Sequence, residues 1–225
     1  MKLGGLILAA GLSSRMGDFK PLMRIGEKTL VEHSVESLFR GGAQSVTVVL
    51  GFRAEEVQTM LKRAFPAQRV RFVCNDTYGT TDMLASIKKG LPALSPCDAF
   101  FLLPGDMPAV SENTLYALSA ALENTGVPIA IPTVDGRRKH PPLIRACCIE
   151  DILSFEGEDG LRGIWRGFEG RIAEIAVDDR GCLLDADRMD DFLELSKYLK
   201  KRMISDADRA GTAELDRMKK EGCRI

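Results

Sequence analysis

Residues 8–20 have the sequence Leu-Ala-Ala-Gly-Leu-Ser-Ser-Arg-Met-Gly-Asp-Phe-Lys, and they follow the short apolar run Leu3–Leu8. A short apolar run bounded by turn residues is typical of a buried strand. This strand breaks into a loop of small and polar residues that carries Arg15 and Lys20. Glycines let a backbone approach a ligand closely, and exposed backbone N–H groups in such loops bind anions. Because guanidinium and ammonium groups both bind phosphate oxygens, the loop predicts a phosphate site.

The composition indicates a folded chain with no general affinity for nucleic acid. Its 225 residues are 45% hydrophobic, which is enough for one large α/β domain with a buried core. Charged residues make up 28% of the chain, yet the net charge is -1, whereas nucleic-acid-binding domains usually carry a basic excess. Binding of phosphate must therefore depend on a local arrangement of charges, and we expect no nucleic-acid partner.

Cysteine and histidine usage argues against a structural zinc site. The six cysteines include no Cys-x-x-Cys pair, and the chain has two histidines, so the spacing typical of zinc sites is missing. Reduced thiols are typical of cytosolic proteins. The N-terminal apolar run is unlike a signal peptide, and no run approaches the ~20 residues of a membrane span. We therefore expect a cytoplasmic protein without a membrane partner.

Short apolar runs alternate with helical patterns along most of the chain. The helix after residue 29 has a capping box, in which Thr29 is the cap and Glu32 reaches back to it. Such alternation predicts an α/β fold with a doubly wound, mostly parallel sheet covered by helices on both faces. Ligands of such sheets bind at the carboxyl ends of the strands. The predicted strands are Leu3–Leu8, Ser45–Leu50, Arg69–Cys74, Ala99–Leu103, Val127–Pro132, Pro142–Arg145 and Ile172–Val177.

The predicted organisation is a single domain over residues 1–195, followed by a helical tail or linker over residues 196–225. A helix is expected over Asp191–Met203. Residues 205–225 are charged and weakly apolar, which favours either a pair of short surface helices or a linker.

Two acidic segments offer ligands for a hard cation. Asp106 stands in a Pro-Gly-Asp-Met-Pro segment directly after the apolar run Ala99–Leu103. A second group of acids, which includes Asp185 and Asp187, precedes the predicted C-terminal helix. Carboxylate oxygens are the ligands that Mg²⁺ prefers. The alternatives are a turn aspartate in the first segment and acids that complement a helix dipole in the second.

The run from Leu8 to Lys20 is neither a P-loop nor a dinucleotide-binding loop, because both glycine patterns are missing. It closely resembles the N-terminal signature of the MobA-like nucleotidyltransferases, which reads Leu-Ala-(Ala/Gly)-Gly, several residues, Arg-Met-Gly, two residues and Lys. This family includes the guanylyl- and cytidylyltransferases of the molybdenum cofactor. The resemblance implies a Rossmann-like, GT-A-like fold and nucleotide transfer from a triphosphate with release of pyrophosphate. The alternative is a basic surface loop after a strand.

The resemblance also implies catalytic residues and a Mg²⁺ cofactor. Arg15, Lys20 and Asp106 would be catalytic, and the segment around Asp106 resembles the family's Gly-Asp-Met/Gln-Pro, whose aspartate binds the metal. Asp187 aligns with the second metal ligand of the family's closing motif, although Arg-Met stands where the family has Thr-Pro. No general base is needed, because a phosphate monoester is already an anion at neutral pH.

A nucleotide site along the opening loop and the loop before the third helix is implied as well. Ala10 favours CTP over GTP, because relatives with alanine there tend to use CTP and an extra methyl narrows a base pocket. Such a methyl is worth only ~1–3 kcal/mol. Asp82 replaces a family glycine and is expected to cap the next helix, and Ser86 has the alternative role of a small packed residue. The implied nucleotide-binding residues are Leu8, Ala9, Ala10, Gly11, Ser13, Arg15, Lys20, Asn75, Thr80, Ser86 and Asp106.

Two further segments imply an acceptor site. The basic segment that ends in His140 and Pro141 resembles the family's Gly-x-x-Gly-His-Pro, with Lys139 in place of the second glycine. Its alternative is a solvated basic loop. Asp159 belongs to a shortened form of the family's Asp-x-Gly-x-Arg loop, and its alternative role is a helix cap. The implied acceptor is a phosphorylated pterin, molybdopterin or its molybdenum-loaded form, and a molybdoenzyme would receive the product.

Two other functions are compatible with the sequence. A nucleotidyltransferase for a sugar phosphate or polyol phosphate, using GTP or CTP, would share the opening loop but not the His140-Pro141 segment. A non-catalytic carrier of the molybdenum cofactor would explain the departures from the family pattern, but it would have no use for a metal-binding Asp106. We therefore expect transfer of CMP from CTP.

Overall fold

The structure is a computed structural model that describes residues 1–12 and 16–221, with side chains described up to residue 205. The helices are α1 (Leu30–Arg40), α2 (Ala54–Ala64), α3 (Met83–Gly90), α4 (Glu112–Thr125), α5 (Ile149–Ser154), α6 (Gly160–Gly167) and α7 (Met189–Glu221). The strands are β1 (Leu3–Ala9), β2 (Arg24–Ile25), β3 (Lys28–Thr29), β4 (Ser45–Leu50), β5 (Val70–Cys74), β6 (Ala99–Pro104), β7 (Ile129–Val134), β8 (Arg137–Arg138), β9 (Leu143–Arg145) and β10 (Ile172–Ala176). None of the described helices is long and apolar enough to cross a membrane.

Eight strands form the main sheet. Their order is β10-β7-β9-β6-β1-β4-β5, and β8 pairs with β7. β1 is parallel to both β4 and β6, β4 is parallel to β5, and β7 is parallel to β10. The predicted α/β fold with a mostly parallel sheet is therefore confirmed. The chain first extends the sheet from β1 through β4 and β5 and then returns to the other side of β1 with β6. In such sheets a crevice forms at the carboxyl ends of the strands, where the order reverses.

One strand, β9, departs from the parallel pattern. It lies between β6 and β7 and is antiparallel to both. The segment between β7 and β9 is too short for the crossover helix that a parallel connection needs, so the chain turns back through a hairpin with β8. The predicted strand Pro142–Arg145 therefore exists, but it runs against its neighbours.

Two apolar layers cover the two faces of the sheet. Alternate side chains of β1 point to opposite faces, so Ile7 packs in the cluster with α1, α2 and α4, whereas Leu6 packs in the cluster with α3, α5 and α6. The predicted capping box of α1 is present. The Thr29 N–H donates to the Glu32 carboxylate at 2.6 Å, and the Glu32 N–H donates to the Thr29 hydroxyl at 3.4 Å.

The C-terminal helix is longer than the sequence suggested. α7 continues without interruption to residue 221, whereas we expected a helix over Asp191–Met203 followed by short helices or a linker. The helix contains no proline. Its single glycine, Gly211, costs only about 1 kcal/mol in a helix interior and does not end it. The predicted boundary after residue 195 falls inside this helix.

The first half of α7 is anchored to the body of the protein. Leu195 and Leu199 are buried in a third apolar cluster that includes Ile25 of the β2–β3 hairpin. The guanidinium of Arg202 donates to the backbone carbonyls of Ala109 and Val110 at 2.9 and 3.3 Å. These carbonyls belong to the segment that follows β6, so α7 fixes the chain close to Asp106.

Candidate active site

A cavity of about 280 Å³ lies at the carboxyl ends of β1 and β6, and we call it the central cavity. Seven predicted nucleotide-binding residues line it: Leu8, Ala9, Ala10, Gly11, Lys20, Ser86 and Asp106. The rest of its lining is Pro21, Tyr78, Thr81, Asp82, Met83, Pro104 and Gly105. Asn75 and Thr80 are not part of the lining, and Ser13 and Arg15 lie outside the described residues. The loops after β1, β5 and β6 thus converge on one cavity.

Small residues let three backbone segments meet at the central cavity. The Gly105 N–H donates to the Leu8 carbonyl at 2.9 Å, which ties the turn after β6 to the end of β1. The hydroxyl of Ser34 in α1 donates to the Gly105 carbonyl at 2.9 Å and holds the same turn. A β-carbon on Gly51 would lie 2.4 Å from the Ala10 carbonyl oxygen. Any side chain at position 51 would therefore displace the opening loop.

Asn75 supports the central cavity from outside its lining. The side chain is fully buried, its amide donates to the Ser86 hydroxyl at 3.0 Å, and its oxygen accepts from the hydroxyl of Thr77 at 2.9 Å. Asp82 caps α3, as predicted, by accepting from the N–H of Ala85 at 3.0 Å. These bonds orient Ser86 at the start of α3, while Thr80 is exposed on the loop surface.

Lys20 joins two carboxylates at the edge of the central cavity. Its ammonium lies 3.1 Å from Oδ2 of Asp106 and 2.7 Å from Oδ1 of Asp187. Lys20 begins a short 3-10 turn in which Pro21 is buried. Burial of the ammonium opposes its charge, but hydrogen bonds and the charges of Asp187 and Asp106 outweigh burial and raise the pKa of Lys20 above its ordinary value. The two carboxylates therefore stabilise a cation at this point.

Asp185 lies close to the same pair of carboxylates. Burial, together with the negative charges of Asp187 and Asp106, raises the pKa of the Asp185 carboxyl above its ordinary value. Its Oδ1 accepts from the Asp187 N–H at 3.3 Å, and the Asp191 carboxylate accepts from the Arg188 N–H at 2.9 Å. Asp185 and Asp191 thus shape the turn that presents Asp187 at the start of α7.

The oxygen atoms gathered here fit a divalent metal that is shared with a phosphate ligand. Mg²⁺ prefers oxygen ligands and is usually bound through one or two carboxylates together with substrate phosphates. Asp106 and Asp187 provide such a pair, and the position of the Lys20 ammonium shows that they attract positive charge. Among the residues that the structure describes, no three histidine, cysteine, aspartate or glutamate side chains form a metal site. The carboxylate pair would therefore rely on substrate or water oxygens to complete the coordination.

A second cavity of about 620 Å³ adjoins the central one, and we call it the lateral cavity. Met83 lines both cavities. The predicted acceptor residues His140 and Asp159 line the lateral cavity, whereas Pro141, which follows a cis peptide bond, does not. The other lining residues are Ile131, Arg138, Lys139, Pro142, Leu161, Arg162, Trp165, Arg166 and Glu169.

His140 is a partly buried residue of the lateral cavity. Burial lowers the pKa of its imidazole, although a hydrogen bond with the backbone of Leu102 and the charge of Asp106 act in the opposite direction. Its Nδ1 is buried without a hydrogen-bond partner in the described part of the chain. Both the lowered pKa and the unpartnered Nδ1 favour the neutral form of this imidazole.

The carboxylate of Asp159 forms an ion pair and makes no capping hydrogen bond. Asp159 precedes α6 with a φ of 67°. Its carboxylate pairs with the Arg166 guanidinium at 2.8 Å. Asp159 therefore occupies the N-cap position of α6, but its carboxylate pairs with Arg166, seven residues further along, instead of capping the helix.

A model of the MobA-like NTP transferase domain matches residues 5–174. This chain belongs to that family. It is therefore a nucleotidyltransferase.

Known relatives of this nucleotidyltransferase share most of its length. The molybdenum cofactor cytidylyltransferase of Escherichia coli K12 is 26% identical over 188 residues, which are 84% of this chain and 92% of that protein. The bifunctional protein GlmU of Methylibium petroleiphilum is 29% identical over 132 residues, which are 58% of this chain but only 28% of that protein. A nucleotidyl transferase from Methanothermobacter has the same fold, with a TM-score of 0.75 and 24% identity, over 89% of this chain and 99% of that one.

Aromatic residues of the nucleotidyltransferase were missed from the sequence alone. Tyr78 of the central cavity contacts Phe52, with ring centroids 6.4 Å apart, and Phe52 contacts Phe19 next to Lys20 at 5.4 Å. Isolated aromatic residues in loops have no spacing that would mark them. Trp165 of the lateral cavity offered one signal, since it is the only tryptophan and closely follows the predicted acceptor loop.

Proposed function

We propose that this nucleotidyltransferase transfers CMP from CTP to a phosphorylated pterin, molybdopterin or its molybdenum-loaded form, in a Mg²⁺-dependent reaction. The observation that carries the proposal is the contact of Lys20 with both Asp106 and Asp187 at the edge of the central cavity. The similarity to the Escherichia coli cytidylyltransferase over most of both chains supports the choice of nucleotide and acceptor.

CTP would bind with its triphosphate along the opening loop and its base near Ala10 and Ser86. Backbone N–H groups of the loop would bind phosphate oxygens, and Arg15 and Lys20 would neutralise their charge. The hydroxyl of Ser86 is oriented by Asn75 at 3.0 Å, so it can act as a directed hydrogen-bonding group. The remaining residues of the proposed nucleotide site are Leu8, Ala9, Gly11, Ser13, Thr80 and Asp106.

Asp106 and Asp187 would hold the Mg²⁺. When bound, the metal supplies charge neutralisation for the triphosphate and the departing pyrophosphate. Lys20 would then exchange part of its contact with the two carboxylates for contacts with triphosphate oxygens. The Lys20 ammonium would thus stay within reach of the reacting phosphate. The two carboxylates hold the ammonium in this position before the reaction begins.

In the proposed reaction, a phosphate oxygen of the acceptor attacks the α-phosphorus of CTP. A new bond forms between that oxygen and the α-phosphorus, the bond from the α-phosphorus to its bridging oxygen breaks, and pyrophosphate leaves with the electron pair. The acceptor phosphate is anionic at neutral pH, so no side chain has to remove a proton. The chain contributes by positioning both substrates and by neutralising charge with Arg15 and Lys20.

His140, Pro141 and Asp159 are the proposed acceptor residues. His140 and Asp159 line the lateral cavity, which shares Met83 with the central cavity, so an acceptor bound there would lie beside the nucleotide. We further propose that the reaction takes place in the cytoplasm and that a molybdoenzyme receives the product.

The proposal is tested by measuring pyrophosphate release with CTP, GTP, ATP and UTP in turn. Each nucleotide is combined with Mg²⁺ and with molybdopterin, ribitol phosphate or glucose phosphate as the acceptor. We expect release with CTP and molybdopterin, and loss of release when EDTA removes the metal. Release with GTP would overturn the choice of base, and release with a sugar or polyol phosphate alone would overturn the choice of acceptor.

A further inference from the structure

The lateral cavity offers space for a second molecule beside the central cavity. Its volume of about 620 Å³ is sufficient for a small organic ligand. Met83 lines both cavities, so ligands in the two cavities would lie on either side of one side chain. A bound acceptor would therefore lie close to the nucleotide.

The indole of Trp165 contributes apolar surface to the lateral cavity. Trp165 is half-buried on α6 and packs against the same apolar cluster as Leu161. Ile131 and Pro142 add apolar surface to the lining. A planar indole next to aliphatic side chains favours a ligand with a flat ring, because stacking needs two parallel faces.

The rim of the lateral cavity is cationic. Four of its lining residues are basic and two are acidic. Arg166 pairs with Asp159 at 2.8 Å, and Arg138 pairs with Glu174 at 2.7 Å, whereas Arg162 makes no ion pair within the described residues. The guanidinium of Arg162 is therefore available to bind an anionic group such as a phosphate.

The polar side chains of the lining are mostly charged. The lining contains no serine, threonine, asparagine or glutamine among the described residues, so its side-chain hydrogen bonds to a ligand would come from charged residues, His140 and the indole N–H of Trp165. His140 also lines the cavity, and its Nδ1 has no hydrogen-bond partner in the described structure. A heteroaromatic ring offers nitrogen and oxygen atoms at its edge that can bind this group while its face stacks.

We propose that Trp165 is the stacking platform for a planar heteroaromatic ring of the acceptor and that Arg162 binds its phosphate. This inference rests on the proposed function and deepens it, because it names the side chains that select a ring-bearing phosphate over a sugar phosphate. Trp165 sets specificity here by contact with the acceptor and takes no part in bond making.

The test measures binding of hydroxymethylpterin monophosphate to the full chain by calorimetry and by the fluorescence of Trp165, the only tryptophan. We expect quenching, about tenfold or more weaker binding in Trp165→Ala, and recovery to within about threefold in Trp165→Phe. Arg162→Ala should bind the monophosphate no more tightly than unphosphorylated hydroxymethylpterin, whereas Arg71→Ala on the far edge strand should bind like the wild type. Affinity for CTP should stay unchanged in all variants, which shows that they are folded.

Three results would overturn the inference: no binding of the pterin monophosphate, equal binding by Trp165→Ala, or tighter binding of ribitol phosphate that depends on Trp165. A separate assay of pyrophosphate release with CTP and molybdopterin distinguishes failure of the stacking role from failure of the proposed function. Unchanged KM for molybdopterin in Trp165→Ala, with activity present, would reject the stacking role alone. Trp165-dependent pterin binding without pyrophosphate release would reject the proposed reaction and keep the binding site.

Discussion

Lys20 contacts two carboxylates that lie 86 and 167 positions further along the chain. No local pattern predicts such contacts, because they depend on how β1, β6 and α7 meet in the folded chain. The sequence motifs were sufficient to identify each of these three residues as a candidate site residue. Their mutual arrangement, and in particular the position of the Lys20 ammonium between Asp106 and Asp187, required the structure.

Replacing either carboxylate should abolish most of the activity. Asp106→Asn or Asp187→Asn keeps the shape of the side chain but removes a negative charge from the proposed metal site, so we expect kcat to fall by about a hundredfold or more. The measurement is pyrophosphate release at saturating CTP. Asp98→Asn is the matched control, since Asp98 is exposed and accepts from the backbone of Lys2 at the other end of the sheet. Wild-type kcat in Asp106→Asn would exclude the metal role.

Removing the ammonium should increase the affinity of the protein alone for a divalent metal. In Lys20→Met the carboxylates of Asp106 and Asp187 lose a cation within 3.1 Å, and unit charges at such distances interact by about 1–4 kcal/mol near a protein surface. We expect Mn²⁺ to bind at least about tenfold more tightly without nucleotide, as measured by electron paramagnetic resonance, while kcat falls. Unchanged Mn²⁺ affinity would show that Lys20 does not compete with the metal.

At the scale of helices and strands, the caps were the most predictable features. Thr29 with Glu32, and Asp82, cap α1 and α3 as their spacing indicated. The direction of β9 and the length of α7 were not predictable in the same way. The first is decided by the shortness of the connection from β7, and the second by the absence of any strong helix-terminating signal before residue 221.

The packing of α7 can be tested with two leucines of the same helix. Leu195 is fully buried and Leu193 is 49% exposed. Leu195→Ala should lower the free energy of unfolding by about 2–5 kcal/mol through the cavity that it leaves, whereas Leu193→Ala should change it by less than about 0.5 kcal/mol. Urea titration measures both values. Equal effects would mean that α7 does not pack on the body as described.

The close approach of the opening loop to Gly51 can be tested in the same way. A β-carbon at this position would lie 2.4 Å from the Ala10 carbonyl oxygen and 2.8 Å from Tyr78, so Gly51→Ala should destabilise the fold by about 1–3 kcal/mol and weaken CTP binding. Gly79→Ala is the control, because no atom lies within 4 Å of its β-carbon position. A stable Gly51→Ala protein with normal CTP affinity would contradict the contact.

At the scale of the whole molecule, the positions of the predicted strand ends indicated where the central cavity would form. They did not indicate the lateral cavity. The central cavity follows from the order of parallel strands, which a sequence pattern can indicate. The lateral cavity is formed where β7, the segment around His140 and α6 come together with Met83 of α3. These elements are distant in sequence, so their motifs indicated an acceptor segment without its aromatic wall.

The buried imidazole of His140 should make the stability of the whole protein depend on pH. Its pKa is lowered in the folded state, so below the ordinary histidine pKa of about 6.5 the unfolded state binds a proton that the folded state does not. The free energy of unfolding should therefore fall as the pH drops from about 7.5 to about 5.5. Urea titration across this range should show a weaker dependence in His140→Gln. An identical dependence in both proteins would exclude His140 as its source.

The most direct measurement follows the fate of the nucleotide itself. CTP radiolabelled at its α-phosphate is incubated with Mg²⁺, molybdopterin and either the wild-type chain, Asp106→Asn or Asp98→Asn. We expect the label to appear on the pterin in equal amounts with the wild type and Asp98→Asn, together with unlabelled pyrophosphate, and not with Asp106→Asn. Label that remains on CTP with the wild type, or that reaches the pterin equally well with Asp106→Asn, would contradict cytidylyl transfer at the Lys20, Asp106 and Asp187 site.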